Sequence, residues 1–111
     1  MDTSNTASET FDLGLVTVTV TLMRRLPSFV MIGVSSSVSK ECSERIRSAM
    51  DADGDAFPRM RIVVDVRPRG NVSDDTSIYR QISALVSAGL LDTPIRAAVM
   101  RCAGLGGVAT R

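Results

Sequence analysis

The side chains able to do chemistry in this 111-residue chain are few, and their types exclude more than they suggest. There is no histidine, which removes imidazole-based metal sites and Ser-His or Cys-His nucleophilic catalysis. Two cysteines, Cys42 and Cys102, cannot build a disulfide scaffold or a four-ligand zinc site. ATP hydrolysis needs a Gly-rich loop ending in Gly-Lys-Ser/Thr and an acidic Mg²⁺ ligand. The only lysine, Lys40, falls in a helical stretch with no glycine loop before it. Gly104-Leu105-Gly106-Gly107 lacks a following Lys-Ser/Thr and reads as a loose tail. Asp51, Asp53 and Asp55 alternate like the first ligands of a calcium loop. The sixth and twelfth places, which need Gly and Glu, hold Ala56 and Ile62, so this is a solvated turn. No catalytic residue, metal ligand or cofactor is expected, and the chain alone is expected not to be an enzyme.

Two charged groups remain as candidate contact surfaces. Arg59, Arg61, Arg67 and Arg69 lie within eleven residues, opposed by Asp65 alone. On the outer face of a strand they either solubilise the sheet or meet phosphates or a neighbouring subunit's carboxylates. No tryptophan and one tyrosine leave little to stack on bases. Glu41, Glu44, Arg45 and Arg47 form the second group, on one helix, with Glu41 and Arg45 in the favourable i,i+4 order. As an exposed set they are either a solvated helix face of weak ion pairs or an intersubunit or interdomain contact, rather than a pair for acid–base chemistry.

The elements that must position these groups follow from periodicity. Composition is globular: 44% hydrophobic, 23% charged, with 13 basic and 12 acidic residues leaving a net charge of +1. That balance gives no global pull toward nucleic acid or an anionic membrane. No apolar run approaches the roughly 20 residues that span a bilayer. The polar residues after Met1 do not open like a secretory signal, and a cytoplasmic location is expected. Residues 1–14 read as a flexible tail. Val16, Val18, Val20 and Leu22 alternate with threonines as a strand. Arg24-Arg25-Leu26-Pro27 interrupts it, and Phe29 onward resumes as a second strand, expected to pair with the first. Ser35-Ser36-Ser37 caps a helix with Val38, Cys42, Ile46, Ala49 and Met50 on its apolar face, stopping near Gly54. Residues 61–67 form another strand, with Ile62, Val64 and Val66 inward. A second helix carries Ile78, Ile82, Leu85, Val86 and Gly89 inward. Thr93-Pro94 starts a short third helix with Ile95, Val99 and Cys102. The expected order is β-β-α-β-α-α in an α+β domain of residues 15–91, followed by a short helix and loose tail over 92–111.

One series of residues is more specific. Leu26-Pro27-Ser28-Phe29, Ile32-Gly33, Val38, then Lys40-Glu41-Cys42-Ser43-Glu44-Arg45-Ile46-Arg47-Ser48-Ala49 follow at fixed offsets. Gly54, Phe57-Pro58, Arg61-Ile62 and Pro68 complete it. This resembles the N-terminal domain of the Mg-chelatase-like, ChlI-like proteins, the ComM/YifB group of bacterial AAA+ ATPases. The resemblance implies a fold similar to ribosomal protein S5 domain 2, a small sheet covered by helices on one side. It implies a non-catalytic N-terminal-type domain that serves a DNA-processing ATPase through assembly or DNA contact. The implied partners are an AAA+ ATPase module or further copies of the chain, with DNA possible and no membrane. The alternatives are a truncated remnant without independent function and a small enzyme on the same fold. Departures fall on turns and helix starts: Arg25 stands where the family has Gly, and serines replace its Pro-Asp after the second strand.

Overall fold

The structure is a computed structural model that describes residues 6–14, 16–68 and 76–102. Its elements are β1 (Thr6–Asp12), β2 (Val16–Met23), β3 (Ser28–Ile32), α1 (Ser36–Ala52), β4 (Arg61–Pro68), α2 (Thr76–Ser87) and α3 (Asp92–Cys102). The strands make one mixed sheet in the order β1-β2-β4-β3. Both β1 and β4 run antiparallel to β2, and β3 runs parallel to β4. The α+β class holds.

Alternation in β2 and β4 works as their sequences require. Val16, Val18, Val20 and Leu22 are fully buried on one face, beside Ile62, Val64 and Val66 from β4. Each such side chain contributes about 1.5–3 kcal/mol when removed from water. Met31 of β3 adds to that face, and Cys42, Ile46 and Met50 of α1 close over it. The expected cap is present: the Ser35 hydroxyl accepts the Val38 N–H at 3.3 Å. At the other end Asp55 N–H bonds Met50 C=O and Gly54 N–H bonds Asp51 C=O, the paired bonds that stop a helix at a left-handed residue.

Three expectations change. Residues 1–14 are not all tail, because Thr6–Asp12 is a strand paired with β2 from Thr17 to Met23. Its sequence, TASETFD, hides this: as an edge strand it sets only Ala7, Glu9 and Phe11 toward the helices and leaves the alternate residues exposed. Glu9 there takes a bidentate salt bridge from Arg101 of α3, with Nη2 at 2.7 Å. Secondly, β2 and β3 do not pair; β4 lies between them. A hairpin is the local default, but β4 is apolar enough to occupy the centre and take a partner on each side. Thirdly, the domain does not end at Leu91, and the apolar face expected for the third helix joins its core. Ile95, Ala98, Val99 and Cys102 of α3 are buried in the same core as β2. Residues 103–111 lie outside the described residues.

The second helix also ends differently from its expected inward face. Gly89 is its left-handed stop at φ +78°, with Leu90 N–H bonded to Leu85 C=O. Ile82 and Val86 are buried and Leu85 half-buried, as expected; the Ile78 side chain lies outside the described residues. The third helix begins at Asp92, just ahead of the expected Thr93 cap.

Gly33, which carries the chain from β3 toward α1, has no room for a side chain. Its φ is +99°, and a Cβ built on it would stand 2.1 Å from the Val66 carbonyl oxygen of β4. Gly54 is equally left-handed at φ +79°, but open space surrounds it. We expect Gly33→Ala to lose about 3 kcal/mol or more in urea unfolding, and Gly54→Ala only about 1 kcal/mol. Equal losses would show that backbone conformation, not the approach to β4, sets the requirement at Gly33.

Candidate functional site

Placing β4 between β2 and β3 makes the chain leave β2 and arch across the start of β4 before entering β3. The arch is Arg24-Arg25-Leu26-Pro27, and the residue beneath it is Arg61, which pairs with Met23 on one side and Ser28 on the other. Arg24, Arg25, Leu26 and Arg61 together with Thr6 and Met23 line a hollow of about 690 Å³. None of these lining residues is acidic. The Arg61 guanidinium donates to the Ser28 hydroxyl at 3.3 Å, which orients it without neutralising it. Leu26 is 87% exposed and sets an apolar tip beside the cations. Guanidiniums are suited to phosphate and carboxylate oxygens because their N–H groups form a planar fork.

The four expected arginines are not brought together. Arg61 and Arg67 share the outer face of β4 but stand at its two ends, six residues or roughly 20 Å apart. Arg67 is also committed locally, with Nη2 at 2.9 Å from Asp65 Oδ2. Arg59 is exposed in the loop before β4 and does not line the hollow; Arg69 lies outside the described residues. The partners Arg61 does gain, Arg24 and Arg25, read in the sequence only as a strand interruption. Two adjacent arginines in a turn were the available signal. Their meeting with Arg61 needs the crossover.

The charged helix residues divide as well. Arg45 turns inward to the junction of α2 and α3. Its Nε lies 2.7 Å from Asp92 Oδ2, its Nη1 lies 2.6 Å from Glu41, and its Nη2 donates to Asp92 Oδ1 and to the Val86 carbonyl. Hydrogen bonding to Asp92 holds the Arg45 proton more tightly than usual. Arg47 stacks over the Phe57 ring at 4.0 Å from its centre, and Phe57 packs against Phe29. Glu44 is exposed. Asp92 had no place in the sequence reading, since the partner that explains it is 47 residues away.

The model of the family described as subunit ChlI of Mg-chelatase matches residues 18–80, more than half of the chain. The chain belongs to the ChlI family. No curated protein matches it. The family match runs from β2 into α2, so it includes the arch, the hollow's Arg61 and the charged face of α1.

In this ChlI-family domain neither cysteine is placed for reactivity. Both are buried. Burial, and then a hydrogen bond donated to Asp92 Oδ1 at 3.3 Å, push the Cys42 thiol up to about 12. Burial also raises Cys102. Below pH 9 Cys42 is protonated whether the chain is folded or not, and its contribution is complete. As pH rises from about 9 toward 12 the unfolded thiol ionises first, so stability falls by up to about 1.4 kcal/mol per pH unit. Unfolding curves across that range should therefore be flatter for Cys42→Ala than for the unsubstituted chain; identical slopes would contradict the assignment. Arg45→Ala strands the Asp92 carboxylate and the Val86 carbonyl. A loss of about 2–3 kcal/mol is expected in urea unfolding, against less for Asp92→Asn, which keeps an acceptor.

Proposed function

We propose that this chain is a non-catalytic contact domain of the ComM/YifB type, serving a DNA-processing AAA+ ATPase by holding nucleic-acid phosphates at the arched end of its sheet. The observation that carries this reading is the meeting of Arg25 and Arg61 at a hollow in which no carboxylate lines the wall among the described residues. Phosphate contacts supply most of the affinity in sequence-independent binding, and Arg61 is held only by the neutral Ser28 hydroxyl among the contacts described for it. The exposed Leu26 beside them offers an apolar contact to sugar or base. Catalysis is assigned elsewhere because Lys40 lies within α1, preceded by serines rather than by a phosphate-cradling glycine loop.

Fluorescence anisotropy with labelled branched DNA, repeated over a salt series, tests the proposal. The unsubstituted chain should bind with a log K against log salt slope near −2, about 0.9 for each of the two phosphates met by Arg25 and Arg61. Arg25→Ala combined with Arg61→Ala should weaken binding about tenfold or more and flatten the slope by about 2. Arg67→Ala should change affinity less than twofold, since that side chain is tied to Asp65. No binding by the unsubstituted chain, or equal losses at Arg67 and at the hollow, would overturn the proposal.

A further inference from the structure

The two edges of the sheet differ in how they are protected. Along β1 every residue but Ala7 and Phe11 is polar, and the Glu9–Arg101 ion pair lies beside that edge. The opposite edge, β3, is Ser-Phe-Val-Met-Ile, with no charge and no proline. Ser28 N–H bonds the Met60 carbonyl, so the backbone groups of Ser28 point to the β4 side. Alternation then turns the N–H and C=O of Phe29 and Met31 away from the sheet, where no strand pairs with them among the described residues. On the sheet face away from the helices the same strand shows Val30 half-buried and Ile32 50% exposed.

Beside this edge runs a groove of about 670 Å³ between β3 and α1. The helix lines it with one stripe: Ser36, Ser39, Lys40, Ser43, Glu44 and Arg47. The serines are small enough to let another element approach closely. Lys40 and Glu44 stand one turn apart with opposite charges, and neither makes a salt bridge within the chain among the described residues.

We propose that β3 is the seam through which two copies of this chain join, antiparallel, into one continuous sheet. Take a two-fold axis perpendicular to the sheet, midway between the Val30 residues of the two copies. Phe29 of each copy then faces Met31 of the other as a hydrogen-bonded pair, and two such pairs close four backbone bonds. The two Val30 residues face each other as the close, non-bonded pair on the axis. The same axis lays the two α1 helices side by side and antiparallel, since each packs over its own β3. Lys40 of one copy then meets Glu44 of the other, and the reverse contact forms across the axis. This self-complementary stripe selects a second copy over an unrelated strand, as an isologous interface requires.

Sedimentation of the full chain, with cross-linking, tests the seam. The unsubstituted chain should show a concentration-dependent two-chain mass. Val30→Cys should give a covalent dimer on mild oxidation, because cysteines at a close pair lie within disulfide reach and Cys42 and Cys102 are buried. Val30→Lys, on the face without helices, should give a single-chain mass with unchanged circular dichroism. Lys40→Glu should weaken dimerisation about tenfold, and Lys40→Glu with Glu44→Lys should restore it. A single-chain mass at every concentration without cross-linking of Val30→Cys would overturn the seam. So would a dimer that persists in a folded Val30→Lys chain.

Discussion

The central position of β4 sets the rest of this structure. Its backbone is paired on both sides, antiparallel with β2 over the whole length from Met23–Arg61 to Val16–Pro68, and parallel with β3. Its inward residues, Ile62, Val64 and Val66, are within 2% of complete burial. A strand held in this way excludes the short hairpin between β2 and β3. The chain must pass over the end of β4, which carries Arg24 and Arg25 above Arg61. It must also leave β3 against the Val66 carbonyl, where only Gly33 fits. The hollow and the glycine requirement are two consequences of one strand insertion.

A second long-range constraint joins the helical layer. Arg45 reaches from α1 to Asp92 at the start of α3 and to the last turn of α2. Asp92 also accepts from the Cys42 thiol, so a single carboxylate serves two donors on α1 and occupies the favourable, positive end of α3. With its side chain 30% exposed, Arg45 is not a surface ion pair of negligible worth. It is a strut that ties all three helices over one face of the sheet. The opposite face carries the threonines of β2 and the outer residues of β4, and the hollow opens at one end of it.

This division separates enclosed from outward-facing charges within a single helix. Arg45 and Arg47 are two residues apart on α1, yet one is enclosed by acceptors from two other helices and the other lies across Phe57. Lys40 and Glu44 belong to the stripe that borders β3. The arginine-lined hollow at the end of the sheet and the groove beside β3 are therefore lined by different residues.

Much of the framework was legible because its causes are local. Alternation of Val with Thr from Val16 to Leu22, the Ser35 cap, the apolar spacing of Cys42, Ile46 and Met50, and the stop at Gly54 each depend on residues within a turn or two. The ChlI-like series around residues 40–49 was readable for the same reason: it is continuous. What the sequence left undetermined depends on neighbours distant along the chain. TASETFD becomes a strand only because β2 offers it a full ladder and Arg101 neutralises Glu9. Arg24 and Arg25 become part of a site only when β4 is threaded beneath them, and Asp92 acquires its role only from Arg45, 47 residues earlier. The sequence by itself determined which segments are strands and helices over most of the core and which of their faces turn inward. Only the tertiary structure decided which strands are neighbours and which charges meet, because periodicity is a property of adjacent residues and strand pairing is settled by competition among distant ones.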